Sequence, residues 1–203
     1  MTEEHLLWER NVLGLHSPKS VNFTIFYHVS QQFGTHGRQE HHQIRLEDLK
    51  WVKHPKTTRT EYIEWVEGIT KTRKGGLQKP TRRLTQRMFP MGGSRCPVAA
   101  LEFMASKRPL DLRSSGPLYL QPLQKPKPDI WFSHQPVGVN TINRYMKDIT
   151  MQAGLQTTQK NFTNHSMRKT VVKKLKKAGV ATRDIAAITG HKSEESLRDY
   201  DDR

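Results

Sequence analysis

The sequence predicts an α+β fold that is mainly α: a helical bundle with a small antiparallel β-sheet of about three strands. In several segments apolar residues recur every three or four positions between Ser, Thr or Asn at the start and Gly at the end, which is typical of capped amphipathic helices. Strand-forming residues concentrate between Glu61 and roughly Phe89. The 203 residues are enough for one medium domain with a buried core.

The first part of the chain predicts two helices. Thr2 is a candidate cap for a helix that runs to about Leu13. Ser17-Pro18 predicts the start of a second helix, because Ser caps well and Pro fits the first helical position. This second helix reaches about Phe33, so residues 1–34 are predicted to form a helical lead-in.

Arg38 follows a glycine-containing break at residues 34–37. Backbone amides at a helix start favour anions, so Arg38 is a candidate phosphate ligand, although an ordinary surface arginine is the alternative. The nearby His36, His41 and His42 invite a metal interpretation. Adjacent histidines diverge, however, and no carboxylate-histidine motif accompanies them, so no metal site is predicted.

A basic hairpin is predicted in the middle of the chain. The strand formers from Glu61 to Glu67 are followed by Ile69–Gly76, which resembles a strand entering a loose hairpin. From Lys71 to Arg87 there are seven basic residues and no acidic one. Such a run is either a solvated face or, on a hairpin, a surface suited to a nucleic-acid backbone. The side chains expected to contact DNA here are Arg73, Lys74, Lys79, Arg82 and Arg83.

The second half of the chain predicts mainly helices. Arg95-Cys96-Pro97 opens one, and a loop-rich stretch follows it from residue 109 to residue 128. Asn140 or Thr141 is expected to cap another helix, which ends at Gly154. Each of these helices has an apolar stripe that predicts a core-facing side.

The final third is the most regular part. It predicts a helix capped by Thr163 or Asn164, a short helix capped by Thr182, and a last helical segment capped by Ser193. The first of these has lysines over much of its surface. The lysines expected to contact DNA are Lys169 and Lys173.

Charge identifies the class of partner. The chain has 34 Lys and Arg against 19 Asp and Glu, a formal charge of +15, which predicts a polyanion such as double-stranded DNA. No apolar run approaches the roughly 18 residues of a spanning helix, so no membrane partner is expected. Cys96 is the only cysteine, which predicts a reducing compartment without disulfides. A nuclear location follows from the DNA partner.

Four residues near the end form a chemically coherent set: His165, Arg168, His191 and Tyr200. His165 and Arg168 are three residues apart at a helix start, so they project from one face. Two imidazoles, a guanidinium and a phenol suit attack on a phosphodiester. Taken singly, His165 and Tyr200 have commoner roles, as a buried histidine that satisfies a backbone group and as a core or surface tyrosine.

Asn-His-Ser-Met-Arg, a helix, a Gly-His pair and a later tyrosine resemble the second conserved box of the tyrosine recombinases, or phage-type integrases. That family also has an arginine after a glycine-containing turn and a lysine on a β-hairpin, and Arg38 and Lys71 stand in this order. Blocks such as Arg-Cys-Pro-Val and Gly-His-Lys-Ser-Glu-Glu-Ser-Leu-Arg-Asp-Tyr resemble the eukaryotic branch derived from Crypton-type transposons, which includes MYM-type zinc-finger proteins. The resemblance runs from about Trp8 to the end.

The resemblance implies a role for each position. Tyr200 would attack the scissile phosphate to leave a 3′-phosphotyrosine, and His165 would assist with its proton, since a phenol with a pKa near 10 is scarcely ionised at neutral pH. Arg38 and Arg168 would bind the non-bridging oxygens. Lys71 would protonate the leaving 5′-oxygen.

Two of these roles have alternatives. Lys74 competes with Lys71 as the general acid, and Lys71 is preferred because it follows the strand in the Thr-Lys-Thr context. His191 would either add a hydrogen bond to the phosphate or pack beneath the nucleophile. With this much fixed positive charge, no metal and no other cofactor is expected.

The expected function is therefore site-specific DNA cleavage and rejoining, that is, recombination or integration. The alternative is a catalytically inactive, transposon-derived nuclear domain that binds DNA or another protein. Residues 1–203 are expected to form one recombinase-like catalytic domain without the N-terminal DNA-clamping domain of working recombinases. By family analogy the active form would be a homo-oligomer on DNA.

Overall fold

The computed structural model describes residues 2–35, 38–66, 85–155, 162–189, 191 and 193–200, with the backbone alone at Arg38, His165 and residues 198–200. The described residues form helices and strands in an α+β arrangement, mainly α, as predicted. The helices are α1 (Glu3–Glu9), α2 (Pro18–Phe33), α3 (Arg38–Gln43), α4 (Pro97–Ser106), α5 (Val139–Gln152), α6 (Asn164–Lys177) and α7 (Thr182–Thr189). The strands are β1 (Leu49–Lys53), β2 (Thr60–Trp65), β3 (Gln86–Met88), β4 (Leu120–Pro122) and β5 (Phe132–Pro136), and three 3-10 helices cover Leu46–Asp48, Leu110–Leu112 and Glu195–Tyr200.

Helix α2 is the central element. The backbone N–H of Ser20 donates to the Ser17 side chain at 3.1 Å, and the backbone N–H of Ser17 donates to the Ser20 hydroxyl at 3.0 Å. Gly34 ends the helix in the left-handed conformation with φ of 58°. Polar as well as apolar side chains of α2 are buried, because α4, α5, α6 and β3 all pack against it. The predicted start and end of this helix are confirmed.

The three-stranded antiparallel sheet has the order β1-β2-β3. Ile63 on β2 pairs with Trp51 on β1 and with Met88 on β3. Ile63 and Met88 have no exposed surface, so one face of the sheet closes the core. The number of strands was predicted, but the range was wrong, since the first strand lies upstream of Glu61. The second predicted strand, Ile69–Gly76, lies outside the described residues.

Two helix boundaries differ from prediction. Helix α1 ends at Glu9 instead of about Leu13, because the chain turns at Asn11, whose φ is 53°. Helix α5 starts after Gly138, so neither Asn140 nor Thr141 is its cap. A second, two-stranded sheet of β4 and β5 was also not predicted as a sheet.

The core has two parts among the described residues. The larger cluster runs from α1 and α2 through the sheet to α4 and α5, and Met167 is its contribution from α6. The smaller cluster lies between α6, α7 and the last 3-10 helix and contains Val172, Ile185, Ala186 and Leu197. None of the helices in the described part of the chain has the length and apolarity needed to cross a membrane.

Candidate functional site

Helix α3 begins at Arg38, as the sequence predicts, and is fixed by the buried His41 one turn later. His41 is 1% exposed. Its Nε2 lies 2.7 Å from Thr35 Oγ1 and 3.0 Å from Ser30 Oγ, and its Nδ1 lies 2.8 Å from Tyr119 Oη. Burial lowers the pKa of His41 to about 3, so the ring is neutral near pH 7. These bonds tie the helix that carries Arg38 to α2 and to the start of β4.

Helix α6 places His165 and Arg168 near its N-terminus. Thr163 precedes the helix with extended backbone, and its N–H donates to Ser166 Oγ at 3.0 Å, so the predicted cap at Thr163 is confirmed. Asn164 Nδ2 donates to the Ile142 carbonyl at 3.3 Å, which joins the start of α6 to α5.

Arg168 and His191, two of the six predicted site residues, are in direct contact. The Nε–H of Arg168 donates to Nε2 of His191 at 3.1 Å, although the two residues are 23 positions apart. Both side chains are only partly buried. The backbone N–H of His191 donates to the carbonyl of Ala186 at 2.9 Å, so His191 folds back over the end of α7. The structure thus brings these two predicted site residues together.

Thr189 contacts the other ring nitrogen of His191. Its Oγ1 lies 2.6 Å from His191 Nδ1 and donates to the Ile185 carbonyl at 2.6 Å. Thr189 is fully buried. His191 is therefore held on both sides of its ring, by Thr189 and by Arg168.

Three parts of the site meet at the C-terminal end of α7. Gln86, at the start of β3, donates from Nε2 to the carbonyl of Ile188. A Cβ added at Gly34 would lie 3.4 Å from Cα of Thr189 and 3.5 Å from the Ile188 carbonyl oxygen. Gly34 at the end of α2, Gln86 at the start of β3 and the end of α7 are thus in contact.

The 3-10 helix Glu195–Tyr200, which ends at Tyr200, packs against α6. Its start is preceded by Ser193, whose Oγ accepts from the N–H of Ser196 at 3.4 Å. Leu197 is fully buried in the smaller cluster, and its carbonyl accepts from Lys176 Nζ at 3.2 Å. The predicted last helical segment is present, in 3-10 rather than α geometry.

The remaining predicted residues divide into two groups. Lys169 and Lys173 are exposed on α6, which suits a nucleic-acid contact. The predicted hairpin residues lie outside the described part of the chain, so the choice between Lys71 and Lys74 stays open. These residues are Lys71, Arg73, Lys74, Lys79, Arg82 and Arg83.

Sequence reasoning missed Thr189 and Gln86, because a helical threonine commonly bonds only a carbonyl of its own helix and no motif marks Gln86 for contact with α7. His41 was considered as a metal ligand, yet it is a buried histidine whose partners are three hydroxyl groups. Its neighbour His42 is exposed, so the two side chains diverge as expected. Within the described ranges, no three His, Cys, Asp or Glu side chains are grouped so that they could hold a metal ion.

Residues 1–151 match the model of a family described as Domain of unknown function (DUF3504). The chain belongs to the DUF3504 family. The matched range contains the positions of Arg38 and Lys71 and ends before α6.

Similar curated proteins include a zinc finger protein, a transcriptional regulator and an uncharacterised protein. Zinc finger MYM-type protein 3 of Mus musculus is 31% identical over 162 residues, which cover 72% of this chain and 12% of that protein. Transcriptional regulator QRICH1 of Homo sapiens is 23% identical over 162 residues, 75% of this chain and 21% of that protein. Uncharacterized protein KIAA1958 of Homo sapiens is 21% identical over 168 residues, which cover 80% of this chain and 23% of that protein. The DUF3504 chain thus spans less than a quarter of the length of these relatives.

A solved structure shows the fold. The XerH site-specific recombinase, bound to its difH substrate in a pre-cleavage complex, superposes with a TM-score of 0.60 at 14% identity and covers 100% of this chain and 50% of that chain. The DUF3504 chain therefore has a tyrosine-recombinase fold, and the predicted fold is confirmed.

Proposed function

We propose that this DUF3504 domain binds double-stranded DNA and cleaves and rejoins one strand through a 3′-phosphotyrosine at Tyr200. The observation that carries the proposal is the 3.1 Å contact between Arg168 and His191. It joins two residues that the sequence motif assigns to one phosphate site. A recombinase fold and a formal charge of +15 support the same partner.

The chemistry follows from the residue types. The phenol of Tyr200 would attack phosphorus, His165 would take the phenolic proton, and Lys71 would protonate the departing 5′-oxygen. Arg38 and Arg168 would stabilise the charge on the non-bridging oxygens. Rejoining reverses these steps, with the 5′-hydroxyl as the attacking group. The cleavage needs no water and conserves the phosphodiester energy in the tyrosine ester.

A second candidate function comes from the relatives. The name of QRICH1 describes it as a transcriptional regulator, and two other relatives are MYM-type zinc finger proteins. These names favour a non-catalytic DNA-binding domain in a nuclear protein. Both candidates place the chain in the nucleus on DNA, and assembly of several copies on one DNA site belongs only to the recombinase proposal.

A suicide DNA substrate, nicked near the cleavage point so that the cut fragment diffuses away, separates the two candidates. Because the target sequence is unknown, the substrate is a pool of nicked duplexes with randomised sequence. A covalent protein–DNA adduct on a denaturing gel is expected for wild type and not for Tyr200→Phe, with Tyr62→Phe as a tyrosine control. DNA binding without an adduct would favour the non-catalytic candidate, and an adduct with Tyr200→Phe would contradict the role of Tyr200.

A further inference from the structure

We propose that Thr189 is a positioning residue: it fixes the tautomer of His191, and His191 in turn orients the guanidinium of Arg168. The inference rests on the proposed function for its consequence in DNA cleavage. Its structural part concerns only the described chain of contacts Ile185 carbonyl, Thr189, His191 and Arg168.

The hydrogen-bond directions fix the tautomer. A threonine hydroxyl has one proton, and that of Thr189 is donated to the Ile185 carbonyl at 2.6 Å. Thr189 Oγ1 must therefore accept from His191 at the 2.6 Å contact, which requires a proton on Nδ1. A neutral imidazole carries one proton, so Nε2 of His191 is the unprotonated nitrogen.

Arg168 provides an independent check on this assignment. Its Nε always carries a proton, because a guanidinium stays charged in proteins. At 3.1 Å from His191 Nε2, that N–H needs an acceptor, which is the lone pair of the Nδ1–H tautomer. Both contacts of the ring therefore require the same tautomer.

The arrangement gives His191 a different role from the one first expected. With its Nε2 lone pair occupied by Arg168, His191 does not donate to a phosphate. Instead, His191 fixes the rotation of the Arg168 guanidinium, because its Nε2 accepts the hydrogen bond from Arg168 Nε. While this contact persists, a phosphate that binds Arg168 through two hydrogen bonds meets the edge formed by Nη1 and Nη2. A small rotation of a planar fork breaks one of two such bonds, so this orientation matters for the cleavage rate.

Nuclear magnetic resonance tests the tautomer directly. In the ¹⁵N-labelled protein at pH 8, long-range proton–nitrogen correlations distinguish an Nδ1–H from an Nε2–H imidazole, and His191→Gln identifies the signal. The Nδ1–H form is expected for wild type and for Thr189→Ser, which keeps the hydroxyl. Thr189→Val has nearly the same shape without the hydroxyl and is expected to shift His191 toward Nε2–H. An Nε2–H wild type, or an unchanged tautomer in Thr189→Val, would overturn the proposal.

Addition of duplex DNA tests whether the contact persists in the complex. The Nδ1–H form should remain, whereas conversion of His191 to Nε2–H would mean that it donates to a phosphate and would refute the positioning role. If cleavage is detected, Thr189→Val should lower its rate at least tenfold with unchanged DNA affinity, and Thr189→Ser should restore it. If wild type does not cleave, the proposed function fails, while the tautomer measurements still decide this inference.

Discussion

Nδ1 of His41 and the hydroxyl of Tyr119 lie 2.8 Å apart in the interior of the protein, although 78 positions separate them in the sequence. The His41 ring also packs on Phe26, with ring centroids 4.4 Å apart. Helix α3 is only six residues long and does not persist without tertiary contacts of this kind. The buried imidazole therefore holds the backbone of Arg38 in place.

The stability of the fold is expected to fall with acid between pH 7 and pH 5. Burial lowers the pKa of His41 to about 3 and that of His28 to about 4, both below the unfolded value near 6.5. The unfolded chain then binds more protons in this range, so stability rises with pH. Each histidine accounts for about 2 kcal/mol between pH 7 and pH 5. Urea unfolding at several pH values measures the slope.

His41→Gln is the matched variant for this slope. It removes the titrating group and keeps a polar side chain, so the pH-dependent loss of unfolding free energy should shrink by about half, to roughly 2 kcal/mol. His42→Gln, at the exposed neighbouring position, should leave the slope of wild type. Equal slopes in wild type and His41→Gln would show that His41 does not titrate with a lowered pKa.

The buried guanidinium of Arg108 is expected to be essential for stability. It has no exposed surface and donates to four backbone carbonyls at 2.6 to 3.0 Å, those of Leu112, Ser115, Pro117 and Leu118. Arg108→Lys keeps the charge but cannot reach all four, and should cost about 3 kcal/mol of unfolding free energy. Arg45→Lys, at a surface ion pair, should change it by less than about 0.5 kcal/mol. Chemical denaturation measures the unfolding free energy of both variants. A similar loss in Arg108→Lys and Arg45→Lys would contradict the stabilising role of Arg108.

Gly34→Ala should impair the site as well as the fold. Any side chain at φ of +58° is strained by about 1 kcal/mol, and this one also contacts α7 at Thr189. Gly179→Ala is the control, because its φ is +76° and a Cβ there meets no atom within 4 Å. Both variants should lose similar stability in thermal unfolding, but only Gly34→Ala should weaken DNA cleavage. Equal cleavage by the two would mean that the contact with α7 is unimportant.

Gln86→Glu should reduce both the stability of the fold and the cleavage rate, because Gln86 is buried. A carboxylate cannot donate to the Ile188 carbonyl and would repel it, which separates β3 from the end of α7. The expected cleavage rate is at least tenfold lower, or about 1.4 kcal/mol in the barrier. Gln121→Glu changes an exposed glutamine on β4 and should cleave like wild type. A covalent-adduct time course measures both, and a wild-type rate for Gln86→Glu would exclude this role.

Lys169 and Lys173 should contact DNA phosphates. Binding affinity falls as salt rises, and each alanine substitution is expected to make the plot of log affinity against log salt less steep by about 1. Each should also weaken binding to all DNA sequences alike. Lys125→Ala and Lys127→Ala, in an exposed loop, control for the loss of net charge. Fluorescence anisotropy at several salt concentrations provides the slopes. The same change in all four variants would indicate general charge attraction and no specific contact.

Elements marked by local signals could be predicted. Ser17-Pro18 and Gly34 delimit α2 through capping and left-handed geometry, which depend only on neighbouring residues. Strand β1 could not be predicted, because Lys50 and Lys53 give it no strand pattern and its conformation comes from pairing with β2.

The site could be predicted only in part for a similar reason. The motif indicated Arg168 and His191, since their residue types and order carry the chemistry. The bond of Gln86 depends on which backbone carbonyl lies opposite, and no spacing in the sequence encodes that. Thr189 bonds the carbonyl four residues earlier in its own helix, and its contact with His191 depends on the placement of the imidazole ring. His41 was visible as a histidine, but its neutral buried state depends on burial among three partners on two separate segments, the end of α2 and the start of β4.

The division of the core into two clusters separates the residues proposed for DNA chemistry. Helix α3, which begins at Arg38, packs against α5 on the larger cluster, whereas the 3-10 helix Glu195–Tyr200 packs against α6 and contributes Leu197 to the smaller one. A small apolar cluster can open without global unfolding, so the end of the chain is a candidate for a separate cooperative unit. Such a unit would allow the 3-10 helix Glu195–Tyr200 to move while the larger cluster stays folded.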